Sequence, residues 1–340
     1  MGKKMIPDTL MLGDRAALSI NAILGTLDSL GDNTPFFSSD LTENPACLRH
    51  SPWDFGQAVG RHLDGIMLAR HMSGSTYGAE QEAVLREMIL KYHKADGLSY
   101  RDKSSTNQGY ANFHDQPHVL QAYTTWFMTT GDERPVEYGK RLCDGLKAVM
   151  SKELDFWFMP MVEYTENGWP VQDYLYMHTA SDPAHINGRM LGVLVKFHEV
   201  TGCKSALEVA ENSAYQVVHQ SAAFNPDGSF NDKLEFRNGH FHSRMITVAA
   251  VIRYAAYVHD AAMLNWGKKV YDWALTQCTA FGYTPGNLHR NPHLRSYSET
   301  CTLTDFIDAG IVLALNGYPE YWDTVQRFVR NHLVEAQLLD

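Results

Sequence analysis

A pattern of helical hairpins returns five times along this chain and constrains the fold more than any other feature. Each copy begins with a short polar stretch and continues through an apolar helix, a tight turn and a second, amphipathic helix. The period is about 55–70 residues, longer than that of the common solenoid repeats. Two long helices with a sizeable loop before them account for this spacing. The copies begin at Trp53, His114, Asp182, His240 and Glu299.

The two helices of each copy differ in their apolar pattern. Met245 to Ile252 is apolar on almost every side, which is typical of a helix buried all round, whereas its partner Trp266 to Gln277 has a single apolar face. An inner helix followed by an outer one, repeated, predicts a double ring of helices. A further amphipathic helix at Asp14 to Leu30 brings the expected number to eleven, so the twelve-helix ring is either incomplete or contains one more short helix. A linear solenoid is the alternative, although it favours shorter and more uniform repeats.

Composition is consistent with one globular domain. No linker rich in Pro, Gly or Ser interrupts the repeats, so residues 1–340 are expected to form a single all-α domain, an (α/α)6 toroid. With 44% apolar and 20% charged residues, the chain can bury a large core. The net charge of -10 argues against nucleic acid or an anionic membrane as partner. No apolar stretch is long enough to span a membrane.

The five cysteines are scattered along the chain and show no CxxC spacing. A disulfide framework is therefore not expected, and a reducing compartment fits better. The first residues contain no apolar run of the length found in signal peptides. These features favour a cytoplasmic location, and a secreted protein without its signal would share them.

One segment departs from the helical pattern. Phe156 to Tyr164 alternates between apolar and polar residues and is followed by Asn167-Gly168, which predicts a short β-hairpin or a rim loop. Its aromatic side chains would either stack on sugar faces or line the loop.

Histidine, arginine and carboxylate residues collect in the loops that lead into the inner helices. In a helical ring these loops converge on one end of the central cavity. Asp54 and Asp182 could instead cap helix N-termini, and a single histidine near a helix start is often structural. Because five loops contribute to one rim while the remaining inner surface is apolar, the pattern favours a functional pocket. The candidate substrate-binding residues are Trp53, His114, His118, His185, Asn187, Arg189, His240, Arg244 and Tyr297.

The types of residue in these loops suit carbohydrate. The chain contains no GxxxxGK(S/T), no GxGxxG that opens a helix after a strand, and no GxSxG. Paired carboxyl groups supply the acid and the base in glycoside cleavage, and arginine would bind the carboxylate of a uronic acid. The catalytic candidates are Asp115, Asp54, Asp182, Glu299 and His242. Asp115 is preferred as the acid because His114 and His118 flank it, with Asp54 or Asp182 as its partner.

A resemblance to known enzymes supports this interpretation. The stretch Asn187-Gly188-Arg189-Met190-Leu191, followed by Thr201-Gly202, resembles the six-hairpin glycosidases, which are (α/α)6-barrel enzymes. The segment Tyr297 to Cys301, followed by Tyr321-Trp322-Asp323, resembles the Glu-Thr-Cys region of the β-L-arabinofuranosidase family.

That second resemblance implies that Glu299 and Cys301 bind zinc, with His240, His242 or His293 able to complete the site. The adjacent Cys-Cys pair of the family, which includes its nucleophile, has no counterpart in these residues. A metal-free site with an unliganded Cys301 is the other interpretation, and no cofactor is the primary expectation.

These observations predict a glycoside hydrolase that acts on a plant or microbial oligosaccharide, including uronate-containing ones, by carboxylate acid–base catalysis. A lyase is an alternative, in which His242 or Tyr297 would remove a proton beside a uronate carboxylate neutralised by Asn187 and Arg189. A sugar epimerase would use a similar ring of histidines. A non-catalytic ring that binds a glycan or a peptide is the remaining alternative.

Overall fold

The computed structural model describes residues 10–51, 53–101, 103–104, 107–153, 155–169, 183–231, 239–288 and 297–337. Within these ranges the chain forms eleven α-helices, and none of them is long and apolar enough to cross a membrane. The helices are α1 (Leu12–Gly25), α2 (Val59–Ser73), α3 (Ala79–Lys91), α4 (Asp115–Thr130), α5 (Arg134–Val149), α6 (Pro183–Thr201), α7 (Lys204–Tyr215), α8 (Phe241–Tyr257), α9 (Ala261–Leu275), α10 (Thr300–Leu315) and α11 (Tyr321–Phe328).

The even-numbered helices form an inner layer and the odd-numbered helices an outer one. Going round the inner layer, α2 packs on α4, α4 on α6, α6 on α8 and α8 on α10. The outer helices α1, α5, α7, α9 and α11 cover α2, α4, α6, α8 and α10 in turn. Among the described residues no helix fills the sixth inner position, between α10 and α2. The predicted all-α toroid is confirmed.

The apolar patterns sort the helices into their layers. On α8 almost every side chain from Phe241 to Ile252 is buried, whereas α9 buries only residues on one face, such as Val270 and Ala274. Glycines allow the inner helices to approach closely. A Cβ atom on Gly60 of α2 would lie 2.7 Å from the carbonyl carbon of His118 on α4. The inner layer is therefore packed backbone to backbone at this level.

Short β-strands lie in the connections between the helices. They are β1 (Ser38–Asp40), β2 (Cys47–Arg49), β3 (Lys103–Ser104), β4 (Asn107–Gln108), β5 (Ala111–Asn112), β6 (Ser151–Glu153), β7 (Phe156–Phe158) and β8 (Glu163–Tyr164). All four pairs, β1 with β2, β3 with β4, β5 with β8 and β6 with β7, are antiparallel.

Two boundary predictions need correction. Phe156 to Tyr164 does not form the hairpin that was one of its two predicted forms, because β7 pairs with the preceding strand β6 and β8 pairs with the distant strand β5. The side-chain amide of Asn187 bonds to both the N–H and the C=O of Met159, which lies between β7 and β8. The Asn167-Gly168 turn does form, closed between Thr165 and Gly168. Helix α1 ends at Gly25 rather than near Leu30, because Leu27 pairs with Pro35.

The close approach of α2 and α4 predicts that Gly60→Ala destabilises the fold. The added methyl group would have to displace backbone, and overpacking of this kind costs about 1–3 kcal/mol in the free energy of unfolding. Gly25→Ala is the matched control, since a Cβ atom there meets nothing within 4 Å. Urea unfolding followed by circular dichroism measures both, and equal stability of the two variants would contradict the packing described.

Candidate functional site

The inner helices enclose a cavity of about 410 Å³, a size typical of sites for small ligands. Its lining comes from all five inner helices and is polar at several levels. The polar residues among those that line it are Arg61, Asp64, His118, Gln121, Thr124, Arg189, Lys196, His242, Arg253, Cys301, Thr304, Asp305 and Asp308.

His118, in the first turn of α4, connects three inner helices. Its Nε2 accepts hydrogen bonds from Arg61 Nε on α2, at 3.1 Å, and from Arg189 Nη2 on α6, at 2.7 Å. Arg189 Nη1 also donates to His114 Nδ1, at 3.0 Å. Because a guanidinium only donates, both imidazoles must accept at these nitrogens and are neutral. Burial, followed by the nearby arginines, lowers the pKa of His118 well below its ordinary value.

Arg189 is itself buried among these groups. Burial, and then the neighbouring Arg61, lowers the pKa of its guanidinium to about 10. The group therefore remains charged at neutral pH. The basic end of the cavity thus contains two guanidiniums and several neutral imidazoles.

Helices α8 and α10 contribute a histidine–carboxyl pair to the cavity. His242 Nδ1, at the start of α8, lies 2.7 Å from Asp305 Oδ2 on α10. Burial lowers the pKa of His242 well below its ordinary value and raises the pKa of Asp305 well above its own. When the ring proton of the neutral imidazole is on Nδ1 and is donated to Asp305, Nε2 has a free lone pair. His242 Nε2 is buried and has no hydrogen-bond partner among the described residues.

Glu299 and Cys301, at the start of α10, lie beside this histidine. One potential ligand atom from each of His242, Glu299 and Cys301 lies within 4.8 Å of the other two. Burial raises the pKa of the Cys301 thiol. Burial also acts to raise the pKa of Glu299, but the hydrogen bond from His240 Nε2, at 2.7 Å, and the neighbouring histidines outweigh it and lower that pKa.

These three groups fit a zinc ion. Imidazole, carboxylate and thiolate are the ligand types that zinc accepts, and three protein ligands leave a position open, as in catalytic zinc sites. A carboxyl group on the far nitrogen of a metal-binding histidine is a common supporting contact, and Asp305 provides it for His242. The unpartnered Nε2 is the observation that a bound ion would explain.

Several predicted residues do meet at this end of the ring. His185 Nδ1 donates to the backbone oxygen of Ser243, at 2.9 Å, so its Nε2 is left as an acceptor. The ring centroids of His114 and His185 are 5.3 Å apart, and those of Trp53 and His114 are 5.8 Å apart, with the planes of the latter two at 79°. The structure thus brings together Trp53, His114, His118, His185, Arg189, His242, Glu299 and Cys301.

Other predicted residues form hydrogen bonds with groups that the sequence did not single out. Both oxygens of Asp115 accept from Arg101, at 2.7 and 2.9 Å. Asp54 accepts from the amides of Phe37 and Ser51, each at 2.8 Å, so it ties loops together rather than capping a helix. Asn187 bonds to backbone groups of the rim.

Two further candidates lie at the edge of the site. Arg244 is buried with its guanidinium 5.5 Å from the ring of Phe224, and the half-exposed Tyr297 covers Gly286. Asp182 and His293 lie outside the described residues.

Sequence reasoning did not select Arg61 or Arg101, and it gave Asp305 no role. A sequence pattern could have identified Arg61, because it and Asp64 are polar residues one turn apart on an otherwise buried face of α2. The role of Arg101 was not visible, because its loop lies before the repeat to which Asp115 belongs.

No protein-family model matches this sequence, and neither does any curated protein. Solved structures do match. Cellobiose 2-epimerase from Spirochaeta thermophila DSM 6192 overlays 100% of this chain and 88% of its own length, at 12% identity and a TM-score of 0.72. An unsaturated glucuronyl hydrolase specific for heparin overlays 94% and 82%, at 12% identity and a TM-score of 0.66.

A GH127 β-L-arabinofuranosidase from Geobacillus stearothermophilus T6 overlays 96% of this chain, at 15% identity and a TM-score of 0.58. The chain spans about half, 51%, of the length of that enzyme. These likenesses establish the fold. The resemblance to six-hairpin glycosidases is confirmed at that level, since hydrolases and epimerases alike are (α/α)6 toroids.

The geometry around Asp115 predicts that Asp115→Asn destabilises the protein. Removing the carboxylate would leave the buried Arg101 without its anion, which costs about 3–5 kcal/mol in the free energy of unfolding. Asp132→Asn is the control, because Asp132 pairs with Arg134 at the surface and its loss costs about 1 kcal/mol or less. If Asp115 were instead a proton donor free of Arg101, the variant would keep its stability.

Proposed function

We propose that the chain is a glycoside hydrolase that takes a sugar residue of an oligosaccharide into the cavity at the N-terminal ends of the inner helices. A zinc ion held by His242, Glu299 and Cys301 would serve the reaction. The observation that carries this proposal is the convergence of three different zinc-ligand types within 4.8 Å of one another beside the cavity.

The surrounding residues support such a site. Zinc would polarise a sugar oxygen or activate a water molecule. Asp305 fixes the ring of His242 through Nδ1 and so leaves Nε2 for the ion. His240 orients the carboxylate of Glu299. His185 has an acceptor nitrogen that can take up a proton, because Ser243 holds its other nitrogen.

Two of the carboxylates predicted to act as acid and base are held by other contacts, which favours a role for the zinc ion instead. Asp115 has a bidentate pair with Arg101 and Asp54 accepts three hydrogen bonds, so neither is free to move protons without breaking structural contacts. Of the predicted carboxylates within the described residues, Glu299 remains, and its lowered pKa keeps it ionised, as a metal ligand must be. The fold likeness to hydrolases of oligosaccharides adds support but carries no residue roles.

A sugar epimerase is the second candidate, and the His242–Asp305 pair is the observation that favours it. Without a metal, the unpartnered Nε2 of His242 could take a proton from the carbon beside the carbonyl of an open-chain sugar and return it to the other face. The overlay with cellobiose 2-epimerase covers 88% of that enzyme. Nε2 has one lone pair, so it can bind zinc or accept a proton but not both.

The proposal predicts one zinc ion per chain, measured by plasma mass spectrometry after dialysis. Cobalt substitution should add the near-ultraviolet band of a thiolate–cobalt bond. Cys301→Ser should abolish that band, and Asp305→Asn should weaken zinc binding about 10–100-fold. Cys278→Ser, which changes a cysteine outside this group, should bind zinc like the parent protein. A parent protein that takes up neither metal would contradict the zinc site.

Isotope labelling predicts a clear difference between the two reactions. Hydrolysis in H2(18)O should release new reducing ends that carry the heavy oxygen, and removal of zinc with a chelator should stop it. Epimerisation in D2O would place deuterium on the sugar carbon, create no new reducing end and continue after chelation. Screening a panel of oligosaccharides by mass spectrometry and NMR measures both. Deuterium uptake without cleavage would reject hydrolysis in favour of the second candidate.

A further inference from the structure

We infer that the sugar bound in the cavity carries an anionic group, a carboxylate or a phosphate ester, and that Arg61 and Arg189 bind this group together. The inference rests on the proposed function, because it takes a sugar in the cavity as given. It adds the charge of the substrate and the residues that recognise it.

The two guanidiniums face the cavity without carboxylate partners among the described residues. Arg189 gives Nη1 to His114 and Nη2 to His118, and its Nε is buried without a hydrogen-bond partner. Arg61 gives Nε to His118, and its Nη1 lies 3.9 Å from Cys301 Sγ. The acceptors of the two groups are therefore neutral imidazoles and the sulfur of Cys301, and none of them is a carboxylate.

Other arginines of the described chain are paired differently. Arg101 is paired with Asp115, Arg70 with Glu82, and Arg253, at another level of the same cavity, with Asp308. Asp115 and Asp305 are close enough to act electrostatically on Arg189, but their hydrogen bonds go to Arg101 and His242. Of the three arginines that line the cavity, Arg61 and Arg189 thus lack a carboxylate partner among the described residues, whereas Arg253 has one.

This arrangement is unfavourable unless something negative binds. Two like charges that converge on the same imidazole nitrogen repel each other, and burial of a charge without a partner is costly. The N-terminal ends of α4, α8 and α10, which carry partial positive charge, also lie at this side of the cavity. An anion placed between the two forks would relieve all three penalties.

Guanidinium groups match planar carboxylates and phosphates through parallel N–H donors. A neutral sugar offers only hydroxyl groups, so it would leave both charges uncompensated. The site should therefore discriminate strongly for an anionic sugar, as sites with buried polar groups do.

The test compares the binding of glucuronate, glucose 6-phosphate and glucose by calorimetry at low salt. Zinc-loaded and chelator-treated protein are both measured, so the result does not depend on the metal or on turnover. We expect at least one of the two anionic sugars to bind at least about tenfold more tightly than glucose, and the preference between them identifies the anion. Equal binding of all three sugars would overturn the inference while leaving the hydrolysis experiment unaffected.

Variants assign the effect to the two arginines. Arg61→Gln and Arg189→Gln should each weaken binding of the anionic sugar about tenfold or more and leave glucose binding unchanged. Arg253→Gln is the matched control, since that arginine lines the cavity but already has a carboxylate partner. A loss of anion binding in Arg253→Gln equal to that in the other two would also overturn the inference.

Discussion

The contact on which both the ring and its site depend is the neutral imidazole of His118. One of its nitrogens accepts from Arg61 on α2 and from Arg189 on α6, so a single side chain of α4 links three neighbouring inner helices at the mouth of the cavity. Protonation of this histidine would remove the acceptor and add a third positive charge among buried groups. Burial and the two guanidiniums both oppose protonation. The same contact therefore stabilises the inner layer and directs two charged forks towards the cavity.

The ring could be predicted from sequence because its causes are local. A helix such as α8, apolar all round, has to lie inside, and α9, with one apolar face, has to lie outside. The convergence of His114, His118, His185 and His242 followed from that topology alone. Partner choice did not follow, because it depends on contacts between residues far apart in sequence. Arg61 lies 57 residues from His118, and no pattern within one repeat connects them.

The assignment of Asp115 as the catalytic acid stays a prediction, but its ion-pair partner could not be predicted from the sequence. Two flanking histidines made it a reasonable acid, since neighbouring groups tune a carboxyl pKa. A buried carboxylate, however, gains most from a bidentate arginine, and Arg101 lies close enough to provide one. The His242–Asp305 pair shows the opposite case. There no arginine forms an ion pair with the acid among the described residues, and the acid instead contacts Nδ1 of an imidazole whose Nε2 has no partner among them.

The direction of the inner helices connects the zinc site with the anion site. His118, His242 and Cys301 all lie in the first turn of their helices, so the positive ends of three helix dipoles meet at this side of the cavity. Such a field stabilises a thiolate, which Cys301 must become to bind zinc, and it stabilises the anion of a bound ligand as well. The same helix dipoles therefore favour both a thiolate that binds zinc and an acidic sugar at this side of the cavity.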